Sequence, residues 1–394
     1  MRASTANGAN LPSHSRKENS LTIEYVATCL FGLEGLLGEE IDALGYKRTE
    51  TMDGRISFIG DEATAAVCNI NLRFAERVYI KVGEFMTDTF DSLFEGTRAL
   101  PWEMWIGKDD AFPVRGHSIK STLFSVPDCQ KIIKKAIVSR LGKLYSQSWF
   151  SESGIKYQID FFLFKNRCTL MIDTSGTPLH KRGYRPKSVE APIRETLACA
   201  LARLARPREE VLFWDPFCGS GTIGIEAAMM MTNRAPGLTR AFSAQIFPQL
   251  PKETWRDARD EAISKIINDT EFTVFMSDID SECVKIAEES AKHAGVYKHT
   301  KIFTKDALTI ETEGRRGTVV CNPPYGERLF TMKQTEELYR KMGNHFKTLD
   351  SWQIYVITSH EGFERLYGRR ADKIRKLYNG MLPCYFYQFF KKQK

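Results

Sequence analysis

The feature that most constrains the fold is a glycine-rich loop between a short apolar run and a helical pattern. Residues 211–214 read Val-Leu-Phe-Trp, and residues 215–222 read Asp-Pro-Phe-Cys-Gly-Ser-Gly-Thr. Apolar residues then recur through residues 223–228 at helical spacing. A strand, a glycine loop and a helix in this order form a nucleotide-type binding turn in parallel α/β sheets. The sequence therefore predicts a ligand site at the carboxyl end of this strand.

Apolar, β-branched runs continue to alternate with helical patterns beyond this loop, which predicts a doubly wound, mainly parallel sheet covered on both faces. Asn379 and Gly380 form a two-residue hairpin signal that would make the final strand antiparallel. A seven-stranded sheet that ends in such a hairpin predicts the Rossmann-like fold of most S-adenosylmethionine methyltransferases. Residues 232–252, rich in Pro, Gly and Gln, are interpreted as an insertion outside the core. The seven strands are predicted near residues 211–214, 272–276, 301–303, 318–321, 353–358, 374–378 and 384–390.

The first half of the chain predicts a smaller α+β region. A helical pattern at residues 31–41 stops at Gly45 and is flanked by strand patterns at 26–29 and 55–59, and a helix-to-strand pattern covers 71–82. A second group begins with a strand at residues 111–120 and a helix from about Asp128. It closes with two strands, residues 155–164 and 167–173, joined by a turn at Lys165 and Asn166.

Basic residues are concentrated in this second group. Residues 112–143 contain seven Lys or Arg and one acid, Asp128. A solvated helix face and a phosphate-binding surface both fit this pattern, and the sequence leaves the two open. The linker at residues 180–187 is also basic and contains an aromatic residue. The candidate RNA-binding residues are Arg115, Lys120, Lys131, Lys134, Lys135, Arg182 and Arg185.

Composition excludes several classes of protein. The 394 residues carry a formal net charge of +7 and no run of eighteen apolar residues, so no membrane span is expected. Residues 1–20 are polar, lack the apolar region of a secretory signal, and are interpreted as a disordered arm. The nine cysteines are scattered without a Cys-x-x-Cys pair, so we expect no metal site and a reducing cytoplasmic compartment.

The charges near the glycine loop favour S-adenosylmethionine over NAD as the cofactor. Gly219, Gly221 and Gly224 match the dinucleotide fingerprint, which alone is weak. Asp215 would repel a pyrophosphate but suits the ammonium of an adenosyl amino acid. The next strand-end acid, Asp278, lies far beyond the ~20-residue spacing expected for NAD.

Two further carboxylates complete the predicted cofactor site. Asp278 is placed to accept hydrogen bonds from ribose hydroxyls, and Asp306 to accept one from an adenine amino group. The alternative for any single Asp is a helix cap, but three neighbouring strand ends together describe one adenosyl amino acid. The predicted cofactor-binding residues are Asp215, Pro216, Phe217, Gly219, Gly221, Thr222, Asp278, Ile279, Asp306, Ala307 and Asn322.

Residues 322–325 read Asn-Pro-Pro-Tyr and follow the apolar run at 318–321. The Asn322 side-chain oxygen and the Pro323 carbonyl can hold the N–H bonds of an exocyclic base amine, which favours the pyramidal nitrogen of the transition state. Pro324 fixes the backbone, and Tyr325 can stack on a flipped base. An ordinary turn is the alternative, since Asn-Pro and Pro-Pro are turn dipeptides. We therefore predict residues 322–325 as catalytic.

These two motifs resemble those of the THUMP-domain RNA methyltransferases. The resemblance extends from about residue 22 to the C-terminus and is strongest to bacterial proteins akin to the guanine-N2 methyltransferase half of the 23S rRNA enzyme. Some proteins of this group are labelled N6-adenine-specific DNA methylases. The resemblance implies a ferredoxin-like module at residues 21–85, a THUMP RNA-binding domain at 86–175 and a methyltransferase domain at 176–394. It further implies structured RNA as partner, rRNA in preference to tRNA, and N2-methylguanine as product.

Three other functions stay open at this point. DNA adenine-N6 methylation uses the same amine chemistry and the same clamp. A non-catalytic RNA-binding assembly factor would retain the fold without the activity, although the intact glycine loop and Asn-Pro-Pro-Tyr segment oppose this. An NAD oxidoreductase is disfavoured by Asp215 and by the position of Asp278.

Overall fold

The structure, a computed structural model, describes residues 21–185, 193–325 and 331–390, and the predicted arm at residues 1–20 lies outside them. Two seven-stranded sheets, each packed against helices, make up this part of the chain. The predicted α/β fold with an N-terminal α+β region is confirmed.

The N-terminal sheet begins with a βαββαβ unit. Its strands lie in the order β2-β3-β1-β4, which is a ferredoxin-like arrangement. The sequence did not predict β2, because its residues, Lys-Arg-Thr-Glu-Thr-Met, are mostly exposed and show no apolar alternation. The elements of this unit are β1 (Ile23–Cys29), α1 (Glu34–Ala43), β2 (Lys47–Met52), β3 (Arg55–Gly60), α2 (Thr64–Asn71) and β4 (Ala75–Met86).

The second group of elements extends the same sheet. Strand β4 pairs antiparallel with β7, so a continuous sheet runs in the order β2-β3-β1-β4-β7-β6-β5. Lys165 and Asn166, both with positive φ, turn the hairpin between β6 and β7 as predicted. The elements are α3 (Phe90–Ala99), β5 (Val114–Ile119), α4 (Val126–Tyr145), β6 (Ile159–Phe164) and β7 (Arg167–Asp173).

The C-terminal sheet has the order β10-β9-β8-β11-β12-β14-β13, and all seven predicted strands are present. Strand β14 is antiparallel to both of its neighbours, as the hairpin signal predicted. The turn lies one residue later than expected, because Asn379 pairs with Leu382 and leaves Gly380 and Met381 in the loop. The elements are α5 (Glu195–Ala205), β8 (Leu212–Asp215), α6 (Thr222–Met231), α7 (Lys252–Ser264), β9 (Val274–Asp278), α8 (Ser281–His293), β10 (Thr300–Thr304), β11 (Gly317–Cys321), α9 (Met332–Phe346), β12 (Trp352–Thr358), α10 (Phe363–Tyr367), β13 (Lys373–Asn379) and β14 (Leu382–Phe389).

The interpretation of residues 232–252 as an insertion outside the core is wrong. The segment packs against the N-terminal region, and five of its apolar side chains are buried, whereas Ile246 is 59% exposed. The Gly237 and Ala244 amides donate to the carbonyls of Ile70 and Thr174 in the N-terminal region. The Phe247 ring lies 4.4 Å from that of Tyr157, centroid to centroid. The buried residues are Ala235, Phe242, Ala244, Phe247 and Leu250.

One apolar core joins the N-terminal sheet, this segment and helices α5 and α6. In the described ranges no helix is long and apolar enough to cross a bilayer. Within the same ranges no group of three or more His, Cys, Asp or Glu side chains could hold a metal ion.

Candidate active site

The predicted site residues meet at one edge of the C-terminal sheet. Strands β10, β9, β8 and β11 are parallel neighbours, so their carboxyl ends share that edge. Asp215 and Asp278 end β8 and β9, Asn322 follows β11, and Asp306 lies two residues beyond β10. Since paired strands lie about 4.8 Å apart, the four strand ends span about 14 Å, which an extended adenosyl amino acid can cover.

The glycine loop is fixed against the end of β9. Gly219 and Gly221 adopt positive φ angles of 52° and 81°, and α6 begins at Thr222. The Gly219 amide donates to Asp278 Oδ2 at 2.9 Å, which ties the loop to the neighbouring strand. Farther along α6, a Cβ on Gly224 would lie 2.4 Å from Met276 Sδ, so this glycine allows the helix to approach the sheet. The loop is therefore held rigidly at the start of α6, with the Cys218, Gly219 and Gly221 amides bonded within the fold.

Asp215 is enclosed and carries no ion pair in the described part of the chain. Its side chain is 1% exposed, and Oδ1 accepts a hydrogen bond from the Phe217 amide at 3.2 Å. Burial raises the pKa of the Asp215 carboxyl well above its usual value; the Phe217 amide opposes this shift and the charge of Asp278 adds to it. A buried carboxylate without a counter-ion fits a ligand that brings a positive charge, such as the ammonium of S-adenosylmethionine.

The two other carboxylates also have structural contacts. Asp278 Oδ1 accepts from the Asp280 amide at 3.1 Å, whereas Asp280 itself caps α8. Asp306 Oδ1 caps the short 3-10 helix Ala307–Thr309 through the Leu308 amide at 2.9 Å. The capping alternative is therefore observed for Asp306, although a carboxylate has lone pairs for further donors.

The remaining predicted cofactor residues differ in exposure. Ile279 is 72% exposed at the tip of β9, where an apolar surface is available to an adenine ring. Pro216, Thr222 and Ala307 are buried, and Phe217 is half-buried. The Thr222 hydroxyl lies 3.2 Å from that of Ser220, inside the loop. The buried side chains of Pro216, Thr222 and Ala307 thus pack beneath the strand ends, whereas Ile279 is open to a ligand.

The Asn-Pro-Pro-Tyr segment carries an unsatisfied polar atom. Asn322 Oδ1 is buried and has no hydrogen-bond partner among the described residues. A buried acceptor without a donor costs about 1–3 kcal/mol, so a ligand N–H at this position would relieve a cost already present in the fold. Pro323 is buried, and Pro324 and Tyr325 are partly buried. Residues 326–328, which continue the motif as Gly-Glu-Arg, lie outside the described residues.

A hydrogen-bonded relay that the sequence did not reveal holds this segment in place. The Tyr339 hydroxyl on α9 donates to the Pro324 carbonyl at 2.9 Å and lies 2.8 Å from Thr358 Oγ1. Thr358 Oγ1 in turn accepts from the His360 amide at 3.0 Å. Burial raises the pKa of Tyr339, so its proton is retained for the bond to Pro324. No local motif marks Tyr339, because it reads as one apolar position of an amphipathic helix.

The predicted RNA-binding residues fall into different environments. Arg115 pairs with Asp160 at 2.9 Å and with Asp173 at 3.0 Å. Lys134 donates to the Phe112 carbonyl at 3.1 Å and also pairs with Glu152. The exposed cations of the set are Lys120, Lys131 and Lys135.

The prediction that Arg182 contacts RNA is wrong. Its side chain is 2% exposed, donates to the Leu179 carbonyl at 2.8 Å and lies 3.5 Å from Glu226. Arg185 is also largely enclosed and pairs with the buried Glu195 at 2.5 Å. Arg182 joins the N-terminal region to the C-terminal part, because its side chain contacts the Arg73 carbonyl and Glu226, and Arg185 is held by Glu195 of α5.

Comparison with known families agrees with this geometry. Residues 182–388, more than half of the chain, match the family described as RMKL-like, methyltransferase domain. The chain belongs to the RMKL-like methyltransferase family. Residues 24–79 match the RlmL ferredoxin-like domain, and residues 87–173 match the THUMP domain. The predicted resemblance is confirmed, and the chain is a methyltransferase.

The relatives of this RMKL-like methyltransferase match it over different shares of their own length. YpsC of Bacillus subtilis (strain 168), described as a proposed RNA methyltransferase, is 43% identical over 370 residues, which is 93% of this chain and 96% of YpsC. The ribosomal RNA large subunit methyltransferase K/L of Psychromonas ingrahamii is 33% identical over 92% of this chain. The match covers 49% of that protein, so the chain spans about half its length. The solved structure of SMU.472, described as a proposed methyltransferase complexed with SAH, has a TM-score of 0.88 and 38% identity, and covers 95% of this chain and 99% of that chain.

Proposed function

We propose that this chain is an S-adenosylmethionine-dependent RNA methyltransferase that modifies an exocyclic base amine, and that its product is N2-methylguanine in 23S rRNA. The observation that carries the proposal is the placement of Asp215 and Asn322, an uncompensated buried carboxylate and an unpaired buried amide oxygen, at one end of adjacent parallel strands. The names of YpsC and of the K/L enzyme support RNA as the substrate. The SAH in the SMU.472 structure supports the cofactor.

The three parts of the chain have different roles in RNA binding and methyl transfer. Residues 21–85 form a ferredoxin-like module, residues 86–175 a THUMP domain that holds structured RNA, and residues 176–394 the methyltransferase domain. Exposed Lys120, Lys131 and Lys135 lie in the THUMP part and supply phosphate contacts. Lys131 also lies 3.4 Å from Asp128, but in an exposed pair. Arg115 and Lys134 are less exposed, pair with acids and contribute less.

Residues of β8, β9 and β10 hold the cofactor. Asp215 accepts the ammonium, Asp278 the ribose hydroxyls and Asp306 the adenine amino group, while Ile279 covers the ring. When bound, S-adenosylmethionine supplies an electrophilic methyl group. The glycine loop lets the backbone approach closely, since Gly219 and Gly221 take up positive φ.

Residues 322–325 hold the base. Asn322 Oδ1 and the Pro323 carbonyl accept hydrogen bonds from the two N–H groups of the amine. These two hydrogen bonds turn the nitrogen lone pair out of the plane of the base. These acceptors become stronger partners as the amine gains positive charge, so they stabilise the transition state more than the ground state. Tyr325 stacks on the flipped base. No strong base is needed, because the amine becomes acidic as it is alkylated.

Methyl transfer to defined nucleic acids tests the proposal. The purified chain is incubated with tritiated S-adenosylmethionine and ribosomal RNA from a strain that lacks the gene, and the modified nucleoside is identified by mass spectrometry. We expect label in 23S rRNA as N2-methylguanosine. Asn322→Ala should lower the rate about 100-fold, as expected when one positioned polar group is lost from a transition state, and should weaken SAH binding far less than it lowers the rate.

The same assay separates the alternatives. Label in duplex DNA as N6-methyladenine, at a rate comparable to that for RNA, would establish the DNA enzyme instead. Label in tRNA or at another amine would retain an RNA methyltransferase and reject 23S guanine N2. An absence of transfer to any RNA, with SAH binding intact, would favour the non-catalytic assembly factor.

A further inference from the structure

A cavity lies at the opposite edge of the C-terminal sheet from Asn322. It has a volume of about 790 Å³ and is bounded by the amino ends of β8, β11 and β12, by β13 and β14, and by the end of α5. Gly32, Gly35 and Glu39 of the N-terminal region close one side. Thr318, which lines this cavity, precedes Asn322 by four residues of extended chain. The cavity therefore lies about 13 Å along β11 from Asn322. We name this cavity the basal cleft.

The basal cleft has a large excess of positive charge. Glu39 is its single acidic lining residue, and it pairs with Arg203 at 3.4 Å. The five other cationic side chains have no carboxylate within 4.0 Å among the described residues. These are Arg206, Arg208, Arg316, Lys373 and Arg375. Cations that converge on a cavity without counter-ions repel one another, so an anionic ligand would stabilise this arrangement.

Two buried hydrogen-bond donors in the basal cleft lack acceptors. Gln388 is 4% exposed, and its Nε2 has no partner among the described residues. Arg375 Nε is likewise buried and unpaired. Gln388 lies between Tyr355 and Lys373 in the strand register, so its amide points to the same face as these two side chains. A ligand that offers oxygen acceptors would satisfy both donors.

The same face also provides an aromatic surface. Tyr355 and Phe390 line the basal cleft with ring centroids 6.2 Å apart; Tyr355 is 3% exposed and packs on Phe386, so Phe390 is the ring that is open to a ligand. The Tyr355 hydroxyl donates to Gln353 Oε1 at 2.7 Å, so its ring is fixed in position. Phe390 is partly exposed at 36%. Nucleobases stack on such rings, whereas sulfate or a carboxylic acid would not use them.

We propose that the basal cleft is a nucleotide-binding site, which takes phosphate groups on its arginines and a base against the exposed ring of Phe390. A free nucleotide and a single-stranded segment of RNA present the same phosphate and ring chemistry, and the volume accepts a nucleotide. The site is separate from the methyl-transfer edge. The proposal does not depend on methyl transfer, since its readout is binding.

Equilibrium binding by the full chain tests the proposal. Saturating SAH is present throughout, so that the cofactor site is filled. The probes are ATP, followed by calorimetry, and a fluorescein-labelled 12-nucleotide single-stranded RNA, followed by anisotropy. The test variant is Arg208→Gln with Arg316→Gln, which removes two exposed charges without a carboxylate partner. The matched control is Arg256→Gln with Arg340→Gln, which removes the same charge from the surface elsewhere.

We expect the basal cleft variant to weaken one of the probes about tenfold or more, as for the loss of charge-assisted hydrogen bonds, and the control to bind like the wild type. If the probe is RNA, the slope of log affinity against log salt should also fall by about 0.7 for each phosphate contact removed. A loss confined to ATP assigns the site to a free nucleotide, and a loss confined to RNA assigns it to the substrate strand. Equal binding by both double variants, or no binding of either probe by the wild type, would overturn the proposal.

A second variant separates binding from folding. Gln388→Leu removes the unpaired amide without a change of charge, so we expect a higher melting temperature together with weaker binding of the same probe. If Gln388→Leu left binding at the wild-type level, the amide would have no ligand and the proposal would fail.

Discussion

Asp215 is buried at a strand end without an ion-pair partner among the described residues, which folding alone does not explain. Its carboxylate loses hydration in the fold and regains one backbone hydrogen bond at 3.2 Å. No cation in the described residues pairs with it, and Asp278 adds negative charge nearby. Burying an unpaired charge destabilises a fold. A side chain that costs stability at a strand end indicates a binding function.

The residue-scale prediction concerns Asp215→Asn. Burial raises the pKa of Asp215 above its value in the unfolded chain. The ionised carboxylate therefore destabilises the wild-type fold at high pH, and this destabilisation disappears as the pH falls to the pKa of Asp in the unfolded chain. We expect the variant to melt at the same or a higher temperature than the wild type at pH 8, and the difference to shrink at pH 5. SAH affinity should fall at least about tenfold, because a buried charge pair is lost. A fall of several degrees in melting temperature would show that the carboxylate supports the fold.

The roles of individual charged residues were only partly predictable. Asp215, Asp278 and Asn322 follow apolar runs, and a residue at that position must lie at a sheet edge. Arg182 follows no such run, and its burial depends on Glu226, which lies on a helix 44 residues away. A basic linker on a surface and a basic linker inside the molecule have the same local sequence, so the RNA-binding role of Arg182 was predicted wrongly.

Helix α9 positions the Asn-Pro-Pro-Tyr segment. Tyr339 reaches the Pro324 carbonyl from this helix, and Thr358 at the end of β12 supports its hydroxyl. The segment is thereby held by two elements that follow it in the chain. Strand ends were predictable from apolar runs, but the hydroxyl contact depends on how α9 packs on the sheet, which periodicity does not give.

The element-scale prediction is the outcome of Tyr339→Phe. The change deletes one hydroxyl and leaves the Pro324 carbonyl without its donor, so we expect a loss of about 1–2 kcal/mol in unfolding free energy. The rate of methyl transfer should fall several-fold while SAH affinity stays unchanged, because the cofactor loops lie on β8 to β10. Denaturant unfolding and single-turnover kinetics measure both effects. Tyr367→Phe, another buried tyrosine whose ring stacks on Phe363 at 5.2 Å, is the control. Equal effects of the two variants would contradict a positioning role for Tyr339.

At the scale of the whole molecule, residues 232–251 make the two sheets one structure. Their Pro and Gly content predicted an exposed insertion, yet the Gly237 amide bonds to Ile70 and the Phe247 ring packs on Tyr157. Backbone N–H groups of this segment, those of Gly237 and Ala244, are bonded to carbonyl groups of the N-terminal region. The partners lie about 70 to 170 residues earlier in the chain, so no local pattern could have revealed them. The seven strands of the C-terminal sheet, in contrast, were predictable because each strand has its own apolar run.

A buried carboxyl group in the N-terminal unit makes stability depend on pH. Glu40 on α1 accepts hydrogen bonds from the Arg73 and Phe74 amides at 3.0 and 3.2 Å. Burial raises the pKa of Glu40 to about 7; the charges of Arg73 and Arg182 and these hydrogen bonds oppose the shift. The folded chain therefore binds a proton that the unfolded chain has released, so stability falls as the pH rises from about 4.5 to about 7.

Glu40→Gln should remove this dependence. The Gln variant keeps an acceptor for the two amides but carries no charge, so we expect it to match the wild type near pH 5 and to exceed its unfolding free energy at pH 8 by up to about 3 kcal/mol. Urea unfolding at pH 5, 6, 7 and 8 measures the difference. Glu39→Gln, on the exposed side of the same helix, should keep the wild-type pH profile. If the unfolding free energies of Glu40→Gln and of the wild type changed in parallel with pH, Glu40 would titrate as in the unfolded chain. The fold would then tolerate its charge without a loss of stability.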